Sequence, residues 1–199
     1  MFSTSRYSRR LAPVAILIGL LATSDVSAGG KAAVQTPTDP AILDLLYRLK
    51  YNEAITRLEQ VLEKDPQNGE ALTYTATAML YQDLNFTKAK REFEEAFKVG
   101  GGATFFVTHS HEKFNTDDVV DYCRGWLHLR KDGVEFVPTE GRHGFQVKYN
   151  EVEEFKTNRL SKSTFHIKVG GKSQNFSGRT KGELEPLLII ALYKSFTRN

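Results

Sequence analysis

The sequence predicts an α+β chain. Two N-terminal helical hairpins come first, then a seven-stranded antiparallel barrel, then a C-terminal helix that caps it. Three observations predict this. Ala54, Leu58 and Val61 recur thirty-five residues on as Ala89, Phe93 and Ala96, and the same offset carries Tyr51 onto Phe86, Leu49 onto Leu84 and Leu45 onto Leu80. Self-similarity at such a period marks stacked helical hairpins. After Gly100-Gly101-Gly102 the apolar period changes from helical to two, the period of strands. The chain then ends on an apolar stretch of helical spacing, from about Glu183 to Phe196.

The N-terminus reads as a targeting segment and not as part of the fold. Arg6, Arg9 and Arg10 precede an apolar run from Leu11 to Ala22, and Val26-Ser27-Ala28 places small residues at a cleavage spacing. This pattern predicts a signal peptide, residues 1–28, cut after Ala28. The apolar run is shorter than the ~20 residues a spanning helix needs, so an uncleaved anchor is the alternative. The expected location is secreted or periplasmic. Losing three arginines and Asp25 brings the formal charge from +3 to +1. No basic arm remains to suggest nucleic acid. Hydrophobic content of 40% suffices for a packed core. Cys123 is the only cysteine, so no intramolecular disulfide can form. Its apolar, strand-like surroundings predict a small buried residue.

Residues 29–38 read as a flexible leader and 39–100 as the helical domain. Asp39 is the expected N-cap of the first helix, with Pro40 at its first position. Ile42, Leu45, Leu46 and Leu49 form its apolar stripe. The second helix starts at Asn52 or Glu53, carries Ala54, Ile55, Leu58, Val61 and Leu62, and ends at Asp65-Pro66. The third is expected over Gly69 to Gln82, with Leu72, Ala76, Met79 and Leu80 inward, and the fourth over Phe86 to Lys98, with Ala89, Phe93, Ala96 and Phe97 inward. The three glycines stop it and are expected to act as a hinge. Two repeats are too few to bury a continuous core. Phe93 and Phe97 therefore need cover from the C-terminal half or from a second copy.

Leu45, Tyr51, Ala54, Leu58, Val61 and Pro66 stand where the tetratricopeptide repeat family places its characteristic residues. The chain resembles that family over about sixty residues, although Gly101 stands where a proline is usual. The resemblance implies a concave surface, lined by the first helix of each pair, that holds a protein or peptide. On those helices Tyr47, Arg48, Tyr74, Thr77 and Tyr81 are the expected contacts, since tyrosine and arginine dominate interface energies. An ordinary solvated face is the other reading of the same residues.

Residues 103–199 read as the barrel domain. Phe105, Val107, His109 and His111 share one strand face. Lys131-Asp132-Gly133 and Glu140-Gly141-Arg142 are turns, and Gly170-Gly171 joins two more strands. Leu184, Leu187, Leu188, Ala191 and Leu192 give the last helix its stripe, which Ile189, Ile190 and Tyr193 widen. Thr180 and Glu183 have capping-box spacing, while Pro186 suits the first turn. Seven strands closed by one helix resemble the pleckstrin-homology-like barrel. That resemblance implies binding of lipid headgroups, peptides or proteins. The segment from Glu112 to Asp121, where phosphoinositide-binding members cluster basic residues, is acidic here.

No phosphate loop, nucleophile elbow, paired-carboxylate arrangement or dinucleotide fingerprint is present in the sequence. His109 and His111 share a strand with His128, His143 and His166 on neighbouring ones. A metal site needs three or four of them about 2.1 Å from one ion, and no cysteine or carboxylate stands at a known ligand spacing. The expectation is therefore surface histidines, no metal and no cofactor. The functional expectation is an exported, non-enzymatic adaptor that grips a protein or peptide in the helical concavity. A membrane-surface role for the barrel, with the helices as a brace, is the alternative, and a homodimer is allowed.

Overall fold

The structure, a computed structural model, describes residues 41–111, 122–140 and 143–198. The expected signal peptide, the leader, the Asp39-Pro40 helix start, the acidic segment 112–121 and the turn residues Gly141 and Arg142 lie outside the described residues. The described residues form a mixed α+β fold: four helices, a seven-stranded antiparallel sheet and a final helix.

The helices α1 (Ala41–Tyr47) and α2 (Tyr51–Lys64) form one pair, and α3 (Gly69–Asp83) and α4 (Phe86–Lys98) a second. Asn68 caps α3 and Asn85 caps α4, each side chain accepting from the backbone N–H three residues on. The repeat offset carries structural roles as well as residue types. Ala54 and Ala89 are both buried, as are Leu58 and Phe93, and Leu45 and Leu80. Leu49 and Leu84 are both exposed and both have positive φ, 64° and 51°. Each lies just beyond the first helix of its pair in the left-handed conformation, at a cost of about 1–2 kcal/mol for a non-glycine residue.

The strands are β1 (Ala103–Ser110), β2 (Tyr122–Arg130), β3 (Gly133–Pro138), β4 (Phe145–Val147), β5 (Val152–Thr157), β6 (Thr164–Val169) and β7 (Lys172–Gly178). Their order is β4-β3-β2-β1-β7-β6-β5. Arg130 faces Gly133 across the two-residue turn Lys131-Asp132. Gly170 and Gly171 both have positive φ and close the β6–β7 hairpin, with Val169 opposite Lys172. Such a two-residue turn matches strand twist only with left-handed central residues.

The expected barrel is not closed. β4 and β5 end the strand order and do not pair. β4 is three residues long, and the chain turns the corner into β5 through one 3-10 turn, Tyr149–Glu151. Side chains occupy this corner in place of a ladder. The Tyr149 hydroxyl donates to the Arg130 carbonyl at 2.6 Å, and its ring meets Tyr193 of the last helix, α5 (Leu184–Phe196), at 5.7 Å.

α5 faces differently from the expected stripe. Leu184 and Leu187 are exposed, whereas Leu188, Ile189, Ile190, Leu192 and Phe196 are buried. Glu185 is fully buried as well. The expected capping box is replaced: the backbone N–H and the hydroxyl of Thr180 both donate to Glu185 Oε2, at 2.6 and 2.7 Å. Pro186 does sit in the first turn.

The two halves share a core, and the described residues belong to one compact unit. Cover for α4 comes from the same chain. Phe93 lies 5.2 Å from Phe105 of β1, and Phe97 stacks on Phe196 of α5 at 3.9 Å between ring centres. The glycine run is a locked crossing and not the expected hinge. Gly101 is buried where its backbone crosses Gly69 of α3, so close that an added Cβ would lie 2.1 Å from the Gly69 carbonyl oxygen. The Thr73 hydroxyl binds across the crossing, donating to Gly69 O at 2.7 Å and accepting from Gly102 N at 2.8 Å.

Candidate functional site

The residues expected to hold a partner divide into two groups. Tyr74, Thr77 and Tyr81 are buried, because β1 packs against α3. The Thr77 hydroxyl donates to the carbonyls of Thr73 at 2.9 Å and Thr104 at 3.0 Å. The Tyr81 hydroxyl donates to Glu185 Oε1 and accepts from Phe106 N, both at 2.8 Å. Burial pushes the Tyr81 phenol well above its usual range and raises the Glu185 carboxyl. Tyr81 thus ties α3 to β1 and α5. Tyr74 donates to Glu70 at 3.3 Å. The corrected role of these three residues is internal packing.

Tyr47 and Arg48 remain on the surface. Arg48 pairs with Asp44 at 2.9 Å, an exposed pair of small energetic weight. Tyr47 is 43% exposed and sets its ring edge-on against Phe106 at 5.4 Å. It also lines a groove of about 440 Å³ at the end of β1 and β2, together with Tyr122, Arg124, Glu140 and His143. Tyr122 is 55% exposed, and the Arg124 guanidinium stands 5.9 Å from its ring centre. Two large aromatic rings therefore stay partly in water beside one concavity.

The wall of this groove carries His111, His143 and Cys123, and a third histidine, His109, is buried beside them. Antiparallel pairing sets His109 of β1 opposite Cys123 of β2. His109 is buried between rings, 4.8 Å from Phe176 and 5.3 Å from Phe136. Burial lowers its pKa. Its Nε2 lies 2.8 Å from Gln174 Oε1. That oxygen can only accept, so Nε2 carries the proton and Nδ1 is a bare acceptor. Cys123 Sγ is 3.6 Å from this Nδ1 and 3.2 Å from His111 Nε2. His143 leans on His111, ring centres 4.1 Å apart.

The other two histidines stand elsewhere. His128 meets Thr104 Oγ1 at 2.9 Å, and burial pulls its pKa down to about 3. His166 lies 2.7 Å from Asn158 and 3.1 Å from Glu154. Cys123 is half-buried among imidazoles, where an inert core position was expected. The sequence shows His-x-His, but the cysteine comes together with it only through the register of β1 on β2. The burial of α3 did have a signal. Gly69, Ala71, Ala76 and Ala78 leave it with no consistently polar side, and a helix apolar all round is buried all round.

No family model matches the chain, and no curated protein matches it. Solved structures do match in part. The C-terminal domain of an unknown protein from Leishmania infantum has a TM-score of 0.33 and 10% identity, over 46% of this chain and 81% of that one. The N-terminal PH domain of human ARAP2 has a TM-score of 0.37 and 8% identity, over 48% and 77%. Inner Membrane Complex Sub-compartment Protein 3 from Toxoplasma gondii has a TM-score of 0.37 and 9% identity, over 56% and 84%. At these scores the likenesses carry no inference about activity, ligand or partner.

Proposed function

We propose that the chain is an exported, non-enzymatic binding module on a pleckstrin-homology-like sheet, and that it holds a short segment of a partner protein in the groove beside Tyr47 and Tyr122. The pleckstrin-homology-like reading is supported by element order, seven antiparallel strands followed by one helix packed on them. The helix pairs α1–α2 and α3–α4 serve as a brace, since α3 is engaged by β1.

One observation carries the binding reading. Tyr47 and Tyr122 expose large rings at one groove, with Arg124 over the second ring. Tyrosine and arginine are enriched among the residues that carry interface energy, tyrosine because it buries a large rigid ring at low entropy cost and arginine because its planar fork pairs with carboxylates. Arg124 favours an occupant with a carboxylate, and the tyrosines favour an apolar or aromatic neighbour to it.

Selection from a displayed random-peptide library tests this. The mature protein is expected to enrich peptides that pair an acidic with an aromatic residue, with binding weakened at least about tenfold by Tyr122→Ala or Arg124→Ala, a loss of ~1.4 kcal/mol or more. Enriched peptides that bind both variants as well as wild type overturn the groove assignment. Salt-sensitive sedimentation with anionic vesicles, and no peptide enrichment, transfers the function to a membrane surface. Among the described residues no helix is long and apolar enough to cross a membrane.

A further inference from the structure

We infer that His109, His111 and Cys123 form a binding site for a zinc-type transition-metal ion, with His143 supplying the fourth ligand. The ligand atoms are His109 Nδ1, His111 Nε2 and Cys123 Sγ. His109 and Cys123 face each other on β1 and β2, His111 follows the last residue of β1, and the ligand atoms all lie within 4.8 Å of one another.

The donor set selects the ion. Imidazole nitrogen with thiolate sulfur is the ligand set of zinc and related late transition metals, whereas calcium and magnesium take oxygen. The distances select the geometry. A tetrahedral site with bonds of about 2.3 Å to sulfur and 2.0–2.1 Å to nitrogen has S···N edges of about 3.6 Å. The two S···N separations here are 3.6 and 3.2 Å. Two edges of the tetrahedron therefore stand within a few tenths of an ångström of their bound lengths. Only the N···N edge, 4.8 Å or less, is left to tighten, and a tetrahedral site sets it at about 3.3 Å.

The surrounding residues support the same reading. Gln174 holds the far nitrogen of His109, which fixes the tautomer and aims the bare nitrogen at Cys123. Metal-binding histidines are oriented in this way by an acceptor on the other ring nitrogen. Phe136 and Phe176 pack against the ring and restrict its rotation. His143 approaches from the segment before β4, beside His111 and on the wall of the groove. Its ring would have to swing in to complete the set, since only His109, His111 and Cys123 have ligand atoms within 4.8 Å of one another, and the groove gives an ion its way in. Without an ion, the Cys123 thiol donates to His109 Nδ1 and accepts from His111 Nε2; an ion would replace both hydrogen bonds, and His143 tilts against His111 beside them.

This site is independent of the peptide reading, although both use one groove. An ion there would tie the ends of β1 and β2 to the segment that leads into β4. The test is titration of metal-free mature protein with Co²⁺ and Zn²⁺. One ion per chain is expected, with a thiolate-to-cobalt charge-transfer absorption that Zn²⁺ removes. Cys123→Ser should abolish that absorption and weaken zinc binding at least about a hundredfold, and His143→Ala about tenfold or more. Circular dichroism and melting of each variant confirm that it is folded, and partly exposed His111→Ala replaces any variant that is not. No saturable uptake by the wild type, or equal zinc affinity in folded Cys123→Ser, overturns the site. Equal affinity in His143→Ala overturns the fourth ligand.

Discussion

Phe93→Ala is expected to lower the unfolding free energy by about 3–5 kcal/mol, the range for emptying a fully buried aromatic position. Phe93 has no exposed surface, and its ring lies 5.2 Å from Phe105. It joins α4 to the first strand, so the loss should be seen by probes in both halves. Domains of this size are stable by about 5–15 kcal/mol, so the variant gives up a large share of the total. Urea unfolding followed by far-ultraviolet circular dichroism and by Trp126 fluorescence measures it. The expected result is one coincident transition, shifted to lower denaturant with an unchanged slope. Separate helical and tryptophan transitions would mean that the halves do not share a core.

Gly101→Ala is expected to cost about 3 kcal/mol, the upper end for overpacking. The new Cβ would meet the Gly69 carbonyl oxygen at 2.1 Å and Thr73 Oγ1 at 2.6 Å. The neighbour in the way is the first turn of α3, which cannot swing aside as a side chain can. Nor can the link retreat. A Cβ on adjacent Gly102 would lie 2.0 Å from the Leu129 carbonyl oxygen, so the backbone is close-packed on that side as well. Melting should fall by roughly 6–12 °C, at 2–4 °C per kcal/mol for a chain of this length. A shift under 2 °C would show that the crossing is looser than described and would restore the hinge.

Much of this fold was legible in the residues. The repeat identified four helices, but Leu49, expected in the apolar stripe of the first, stands beyond its end, exposed and at positive φ like Leu84, because the chain must reverse there into the next helix. The turns at Lys131-Asp132 and Gly170-Gly171 stood where their chemistry demands. What escaped depends on partners distant in sequence. Thr77 and Tyr81 look like surface residues until β1 is laid on α3. Glu185 looks like a solvated charge until Thr180 and Tyr81 are seen to satisfy its two oxygens. The open corner between β4 and β5 depends on a three-residue strand, too short to recognise by alternation. For the candidate site, His-x-His was visible, but its meeting with Cys123 rests on β1–β2 register. A one-residue slip would send the sulfur to the other face.

The most direct measurement is thermal unfolding of a chain that stops at Gly101. The helical pairs would then keep their repeat but lose Phe105, Phe106 and Phe196, leaving Tyr81, Phe93 and Phe97 uncovered. The expected trace is a broad, non-cooperative loss of helix, or association into larger species. A sharp monomeric transition at the temperature of the whole chain would contradict the shared core and return the concave face of the helices to a partner.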